Sequence, residues 1–158
     1  MPVELVSRII KNRLSKSDCQ NGYILDGFPR SLEQAKQLTQ INNELDKGEK
    51  ANFIAVYFDI DESILIERIV NRRSCSKCGE IYNLVFKAPK NDDICDVCKI
   101  KLSQRKDDTR EVAQSRFETY DRETAPLVGY YEKMGVLRTI DANGSIDDVW
   151  KRLLEVVK

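Results

Sequence analysis

The stretch Tyr23–Gln34 has the sequence YILDGFPRSLEQ, and it is the strongest indication of the fold class. Its first three residues are apolar and predict a short buried strand that ends at Asp26. The turn that follows, Gly27–Arg30, combines a glycine that permits close backbone approach, a proline that stiffens the turn and an arginine that can grip a phosphate with two N–H groups. Ligands bind open α/β sheets at the carboxyl ends of strands, so the stretch indicates a ligand site there. Taken singly, Asp26 and Arg30 are equally consistent with a turn residue and a surface charge.

Apolar spacing predicts the elements around this stretch. Helices are expected in the ranges 3–14, 32–44, 61–73, 109–134 and 145–157, with an interruption near Pro126. Short apolar runs predict further strands at Phe53–Phe58, covered on both faces, and at Val136–Ile140. A charged loop is expected at Asp46–Lys50.

Strands that alternate with helices predict an α/β fold with a parallel sheet and flanking helices. The pattern breaks between residues 71 and 108, a range rich in Cys, Lys and Asp with little helical period. We therefore expect a core α/β domain formed by residues 1–70 and 109–158, with a small inserted domain at 71–108.

The composition excludes several classes of protein. The chain has 158 residues, 33% of them charged, and no apolar run approaches the roughly 20 residues needed to span a bilayer. Its 26 basic and 26 acidic side chains balance, so the net charge creates no overall field that attracts nucleic acid. A cytoplasmic location is expected. Histidine is absent, which removes the commonest general base and every mixed Cys/His metal site. Phosphoryl transfer suits such a chain, because it depends on positioning and charge neutralisation.

Four cysteines mark the insert as a metal site. They form two C-x2-C pairs, Cys75 with Cys78 and Cys95 with Cys98, separated by sixteen residues. Together the pairs can close a tetrahedron of thiolates around a structural Zn²⁺, and disulfides are the alternative that a cytosolic chain disfavours. The fifth cysteine, Cys19, has no partner at this spacing and is expected to be a buried or half-buried thiol. On the cysteines alone, a noncatalytic zinc-ribbon module that binds nucleic acid or protein remains an alternative function.

Position for position, Tyr23–Gln34 resembles the signature stretch of the adenylate kinase family. The resemblance continues through further blocks that span essentially the whole chain. These blocks are Arg68–Arg73, the two cysteine pairs, Arg105–Asp108, Arg116 and Thr124–Tyr131. The zinc-bearing, long-lid type is the most similar, and residues 71–108 would form its zinc-binding lid.

The resemblance implies a fold and an activity. The fold would be the nucleoside monophosphate kinase (P-loop kinase) core, and the reaction ATP + AMP = 2 ADP. The implied enzyme is a cytoplasmic monomer that binds ATP, AMP and ADP, and neither nucleic acid nor membrane. A UMP or CMP kinase is an alternative, which Gln34 and the long zinc lid disfavour.

The resemblance also implies residues on the AMP side. The residues that would border AMP are Gly27, Phe28, Pro29 and Arg30. Of these, Arg30 would contact the phosphate, and Gln34 would contact the adenine edge. The spacing Ser31-x-x-Gln34 also fits a capping box, and the two roles of Gln34 are compatible. Asp26 would help to hold Mg²⁺ through water.

On the ATP side, the resemblance implies that Arg68 lies by the base and that Arg72 contacts the phosphates. The two residues are four apart, so one helix face is expected to present both. Clustered guanidinium groups would offset the charge on the transferred phosphoryl group without a covalent intermediate. Further residues implied near ATP are Ile81, Tyr82, Arg105, Arg116 and Gly144. The catalytic set would be Asp26, Arg72, Arg105 and Arg116.

One family feature has no counterpart in residues 1–158. Adenylate kinases begin with a glycine-rich loop of the type G-x-x-G-x-G-K-[ST], whose backbone amides cradle phosphates. The sequence contains no such loop, and Met1 aligns within the family's AMP side. We therefore expect an incomplete core that leaves the strands at Tyr23 and Phe53 uncovered, and a chain that is weakly active or inactive alone.

Overall fold

The computed structural model describes residues 3–45 and 53–157, which form two compact units. The first unit contains the described residues up to Val56 together with Thr119–Arg138, and the second contains Tyr57–Glu118 and the described residues from Thr139 onward. The predicted loop Asp46–Lys50 lies outside the described residues. In chain order, the α-helices and strands are α1 (Val3–Leu14), α2 (Leu32–Leu45), β1 (Ala55–Asp59), α3 (Glu62–Val70), β2 (Arg72–Ser74), β3 (Ile81–Asn83), α4 (Arg110–Glu123), α5 (Pro126–Lys133), β4 (Leu137–Asp141) and α6 (Ile146–Val156), and a short 3-10 helix at Ser17–Cys19 lies between α1 and α2.

The first unit is built on α2. One side of this helix buries Leu38 and Ile41 against Leu14 of α1. Another side buries Ala35 against Leu127 and Tyr131 of α5, so α2 contributes to two apolar clusters. The apolar positions of α2 recur at helical spacing, which is why the sequence predicted this helix to within one residue.

Strands β1 and β4 pair in a parallel sheet. Ala55 N donates to Val136 O at 3.0 Å near the start of both strands, and Ala142 N donates to Asp59 O at 2.6 Å near their ends. Helices flank these strands in sequence on both sides. The predicted fold class, a parallel sheet with flanking helices, is confirmed.

The predicted strand at Tyr23–Leu25 is wrong. These residues have no strand conformation, and Ile24 is 94% exposed. A strand requires a neighbour that completes its hydrogen-bond ladder, and no described strand pairs with this segment. The hydroxyl of Tyr23 instead donates to Asn42 Oδ1 at 2.7 Å.

The predicted strand at Phe53–Phe58 is partly right. The observed strand begins at Ala55 and extends to Asp59, and Phe58 is 45% exposed, so the strand is not covered on both faces. Since the described part of the chain pairs β1 with β4 alone, only one of its edges carries a ladder.

The third helix ends three residues earlier than predicted, at Val70. Arg72 therefore lies in β2, and the prediction that one helix face presents Arg68 and Arg72 is wrong. The physical reason is the antiparallel ladder with β3, in which Arg72 pairs with Asn83 and Arg73 with Tyr82. Strand pairing takes over the backbone groups that a longer helix would have used.

The last three helices agree closely with prediction. The predicted interruption near Pro126 separates α4 from α5, with the proline in the first turn of α5. At the start of α6, Ser145 Oγ accepts a hydrogen bond from Asp148 N at 3.2 Å and caps the helix. No helix among residues 3–45 and 53–157 is long and apolar enough to cross a membrane.

Candidate active site and metal centre

The two cysteine pairs sit on turns with the same backbone hydrogen bonds. Cys75 N donates to Glu80 O and Cys95 N donates to Ile100 O, both at 2.9 Å. The residue after each pair returns an N–H to the first cysteine's carbonyl, also at 2.9 Å: Gly79 to Cys75 and Lys99 to Cys95. Both of these residues have positive φ, 75° and 57°, and the sequence alone gives no sign that Lys99 adopts it.

These turns bring the four thiols together. The Sγ atoms of Cys75, Cys78, Cys95 and Cys98 all lie within 4.8 Å of one another. A zinc ion with Zn–S bonds of about 2.3 Å requires Sγ–Sγ distances of about 3.8 Å, and Cys78 and Cys95 are 3.7 Å apart. All five cysteines are free thiols, so the disulfide alternative is not observed. The donor set therefore fits a tetrahedral metal ion.

The hydrogen bonds around Cys95 favour its thiolate. The backbone N–H of Cys98 donates to Cys95 Sγ at 3.3 Å, and this bond is the main cause that lowers the pKa of Cys95 to about 6. A deprotonated sulfur is the form that binds metal. Cys19 lies outside the cluster and is half-buried, as predicted.

In the second unit, three of the predicted arginines surround a pair of aspartates. Arg72 donates twice to Asp108, from Nε to Oδ2 at 2.9 Å and from Nη2 to Oδ1 at 2.5 Å. Arg116 forms an ion pair with Asp107, and Arg105 O accepts from Asp108 N at 3.2 Å. The positive charge of Arg105 also acts on Asp108, so three guanidinium groups face two carboxylates and the cluster can attract a polyanion.

The carboxylate of Asp108 is the buried centre of this cluster, with a relative exposure of 1%. The hydrogen bonds from Arg72 are the main cause that lowers the pKa of Asp108, and the nearby charges of Arg105 and Arg116 lower it further. The same pair raises the pKa of Arg72. Sequence reasoning placed Asp107 and Asp108 in a matching block but assigned them no role. A carboxylate next to basic residues was the signal that could have identified Asp108.

The structure also brings together Arg68 and Gly144, which are 76 residues apart. Arg68 Nη2 donates to Gly144 O at 3.1 Å, and its guanidinium lies 5.4 Å from the centre of the Phe86 ring. The contact with Phe86 was not predicted, because nothing in the spacing relates the two positions. Beside Arg68 is an apolar cleft of about 320 Å³, a volume within the range of ligand pockets. The other residues that line it are Phe58, Ile60, Leu65, Ala142, Ile146, Val149, Trp150 and Leu153.

Ile81 and Tyr82 are adjacent on β3 but differ in their surroundings. The side chain of Ile81 is 48% exposed, whereas that of Tyr82 is 4% exposed and packs in the cluster with Cys75 and Cys95. Only Ile81 therefore presents its side chain to solvent.

In the first unit, Arg30 folds back over its own loop. Arg30 Nε donates to Gly27 O at 2.8 Å, and Gly27 has a φ of +76°. This positive φ favours glycine, and a Cβ at Gly27 would lie 2.9 Å from Arg30 Nη2, so the Arg30 side chain would have to move away from it. Phe28 packs beside α1 and α2, Pro29 is half-buried, and Asp26 is exposed.

The predicted capping box begins α2, with one difference. Ser31 Oγ accepts from Gln34 N at 3.3 Å, as predicted. The side chain of Gln34 accepts from the backbone N–H of Arg30 at 2.7 Å, rather than from that of Ser31. Gln34 therefore connects the start of the helix to Arg30.

Comparison with known proteins agrees with these features. The family model for adenylate kinase matches residues 1–136. An adenylate kinase of Thermotoga neapolitana is 41% identical over 157 residues, which are 99% of this chain and 70% of the relative. Those of Thermosipho africanus and Archaeoglobus fulgidus are 44% and 40% identical over 158 residues, all of this chain and 72% and 71% of each relative. The chain belongs to the adenylate kinase family.

Proposed function

We propose that this protein catalyses reversible phosphoryl transfer between ATP and AMP, which yields two ADP. The observation that carries the proposal is the group of three arginines, Arg72, Arg105 and Arg116, around Asp107 and Asp108. Transferred phosphoryl groups carry charge on their equatorial oxygens, and preorganised guanidinium groups stabilise that charge without a covalent intermediate. The relatives' names support the same activity.

The ATP base is proposed to lie by Arg68 and Gly144. The contact between these residues and the adjoining apolar cleft support this assignment, since pockets for bases combine apolar walls with a few polar groups. Ile81 contributes an exposed side chain at the lid's first strand pair. The triphosphate would then extend to the arginine group.

The AMP side is proposed to be the loop Gly27–Arg30 and the start of α2. Arg30 would bind the phosphate, because its Nη atoms provide N–H donors beyond the bond that Nε makes with Gly27. Gln34 would contact the adenine with its side-chain nitrogen, since its oxygen already accepts from Arg30 N. Asp26 is exposed and would hold Mg²⁺ through water.

Two metal ions belong to the proposal. Zn²⁺ in the four-cysteine cluster would be structural, because four thiolates leave no open coordination position. Mg²⁺ bound with ATP would supply charge neutralisation at the phosphates. The proposed enzyme acts as a cytoplasmic monomer, and the domains proposed are residues 1–70 and 109–158 for the core and 71–108 for the lid.

The test is ADP formation from ATP, AMP and Mg²⁺, measured by a coupled assay. The sequence contains no glycine-rich phosphate loop, so we expect residues 1–158 alone to be near background and a version preceded by such a loop to turn over. Arg116→Ala should lower kcat of the extended version by about 100-fold. Arg122→Ala is the matched control on the same helix, because Arg122 also pairs with a carboxylate, that of Glu123, but lies outside the cluster. An extended version without activity would overturn the proposal.

Nucleotide binding can be followed separately from turnover. Trp150 is the only tryptophan, and it lines the cleft beside Arg68. ATP should change its fluorescence, and Arg68→Ala should reduce the affinity. Competition among AMP, UMP and CMP in the extended version identifies the acceptor: we expect AMP to be preferred, and preference for UMP or CMP would replace the proposed substrate.

A further inference from the structure

The hydroxyl of Tyr82 lies inside the cysteine cluster. Its oxygen is 3.7 Å from Cys95 Sγ, and the residue is 4% exposed. The ring packs with Cys75, Cys95 and Leu102, which form the buried core around the thiols. A buried polar group of this kind needs hydrogen-bond partners, because leaving it unpaired costs free energy.

The neighbouring backbone uses the acceptor side of the Tyr82 hydroxyl. Asp96 N donates to the Tyr82 oxygen at 2.9 Å, so the oxygen serves there as acceptor. A phenol has one proton to donate, and the sulfur of Cys95 is the acceptor within reach of it. When Cys95 is a metal-binding thiolate it has no proton of its own, so the bond then runs from the Tyr82 hydroxyl to Cys95 Sγ.

A bound metal would increase the demand for this donor. Four thiolates around a divalent ion leave two negative charges, and Cys95 is the most deeply buried ligand, at 0% exposure. Buried negative charge needs hydrogen-bond donors, and the backbone N–H of Cys98 already provides one to the same sulfur at 3.3 Å. Tyr82 provides a second from a side chain.

We propose that Tyr82 is an outer-sphere partner of the metal, whose hydroxyl donates to the Cys95 sulfur and thereby determines how tightly the ion is retained. This inference rests on the metal part of the proposed function. It gives the Tyr82 side chain a positioning role at the metal centre and leaves Ile81, whose side chain is exposed, as the side chain of the two that a nucleotide can reach.

Metal retention also bears on the arginine group. Tyr82 pairs with Arg73 across the β2–β3 ladder, and the next pair in register joins Asn83 to Arg72. Asn83 Nδ2 further donates to Arg68 O at 2.9 Å. The strand that carries Tyr82 therefore reaches from the metal centre to both of the proposed ATP-side arginines.

The test compares Tyr82→Phe with Tyr23→Phe in the full chain. Both changes remove one phenol hydroxyl, and Tyr23 bonds to Asn42, far from the thiols in sequence. Zinc affinity is measured by competition with a chromophoric chelator, and Co²⁺ substitution reports the thiolate-to-metal charge-transfer bands. We expect Tyr82→Phe to weaken zinc binding by roughly tenfold, as for other outer-sphere partners, and to move the Co²⁺ bands to lower energy. Tyr23→Phe should change neither.

The outcomes separate the two proposals. If wild-type protein binds no zinc, or if its Co²⁺ spectrum lacks four thiolates, the metal part of the proposed function fails. If wild type binds zinc and Tyr82→Phe matches it within twofold with unshifted bands, the role of Tyr82 is overturned. Tyr82→Met, which also lacks the hydroxyl and fills the apolar site, is used if the Phe variant does not fold in saturating zinc, and the same outcomes apply to it.

Discussion

The two arginines proposed to contact the two nucleotides are held in opposite ways. Arg30 of the first unit bonds to the carbonyl of Gly27, three residues away in the same loop. Arg72 of the second unit bonds twice to Asp108, which is 36 residues away and almost fully buried. The first arrangement is local and solvent-exposed, and the second depends on a buried carboxylate brought from another segment.

The two arrangements should be sensitive to different changes. The loop around Arg30 needs only a suitable glycine and a capped helix, so small local changes should perturb it. The position of Arg72 depends on the β2–β3 ladder, on the cysteine cluster beside it and on an ion pair whose carboxylate is buried. We therefore expect losses in the second unit to be larger and to extend over more residues.

The largest expected effect is that of metal removal. A chelator, or Cys95→Ser, should abolish the order of the segment from Arg72 to Ser103, because its buried residues around the thiols are few: Cys75, Tyr82, Cys95 and Leu102. Cys19→Ser is the matched control, since this thiol lies outside the cluster. Hydrogen exchange and limited proteolysis should show loss of protection in that segment, with the loop at Gly27–Arg30 unchanged. Retained protection after chelation would contradict a structural metal.

The next largest effect is expected at Asp108. Asp108→Asn leaves the Arg72 guanidinium without its anion and should lower the free energy of unfolding by about 3 kcal/mol, at the lower end for buried pairs because Arg72 is 26% exposed. Asp107→Asn is the neighbouring control, and its half-exposed pair with Arg116 should contribute less than about 1 kcal/mol. Urea unfolding of metal-loaded protein measures both. Equal losses of stability in the two variants would show that the Arg72–Asp108 pair contributes no more than the exposed Arg116–Asp107 pair.

The pH dependence of the same pair has a definite sign. Arg72 lowers the pKa of Asp108 in the folded protein. The pair therefore stabilises the fold fully at any pH above the pKa that Asp108 has in the unfolded chain, and this stabilisation is lost as the pH falls through the lower folded-state pKa. In Asp108→Asn this acid-dependent component should be missing.

The features that could be predicted from the sequence alone are those that depend on residues close together in the chain. The cap at Ser31 and the bounds of α2 depend on residues close in sequence, and they were predicted nearly correctly. The four-cysteine cluster was also predictable, because the spacing within each pair fixes a turn.

What could not be predicted depends on long-range partners. The strand at Tyr23–Leu25 was expected from apolar residues, but strands require ladder neighbours that composition does not specify. Arg72 was placed on a helix because its spacing from Arg68 fits one, and the pairing with Asn83 overrides that preference. The burial of Asp108 likewise arises only when distant segments meet.

A smaller effect is expected at Gly27, where the arrangement is local. Gly27→Ala introduces a Cβ 2.9 Å from Arg30 Nη2. The Arg30 side chain is flexible and should relieve this close contact by moving away from the loop. Gly22→Ala is the control, because Gly22 also has positive φ, +119°, with nothing within 4 Å of its added Cβ. Both should lose about 1 kcal/mol of stability from backbone strain, but only Gly27→Ala should weaken AMP binding, by roughly tenfold. Calorimetry in the extended version measures the affinity, and equal AMP affinities would show that Arg30 need not rest on Gly27.

The smallest effect is expected at the helix cap beside Arg30. Ser31→Ala removes the acceptor for Gln34 N and should cost about 1 kcal/mol of stability, measured by urea unfolding. Ser145→Ala removes the matching cap of α6 in the second unit and should cost the same. Gln34 still accepts from Arg30 N in Ser31→Ala, so AMP affinity should change less than about twofold. A tenfold loss would mean that the cap, rather than the Gly27 carbonyl and Gln34, holds Arg30, and the loop would then be less self-contained than its hydrogen bonds indicate.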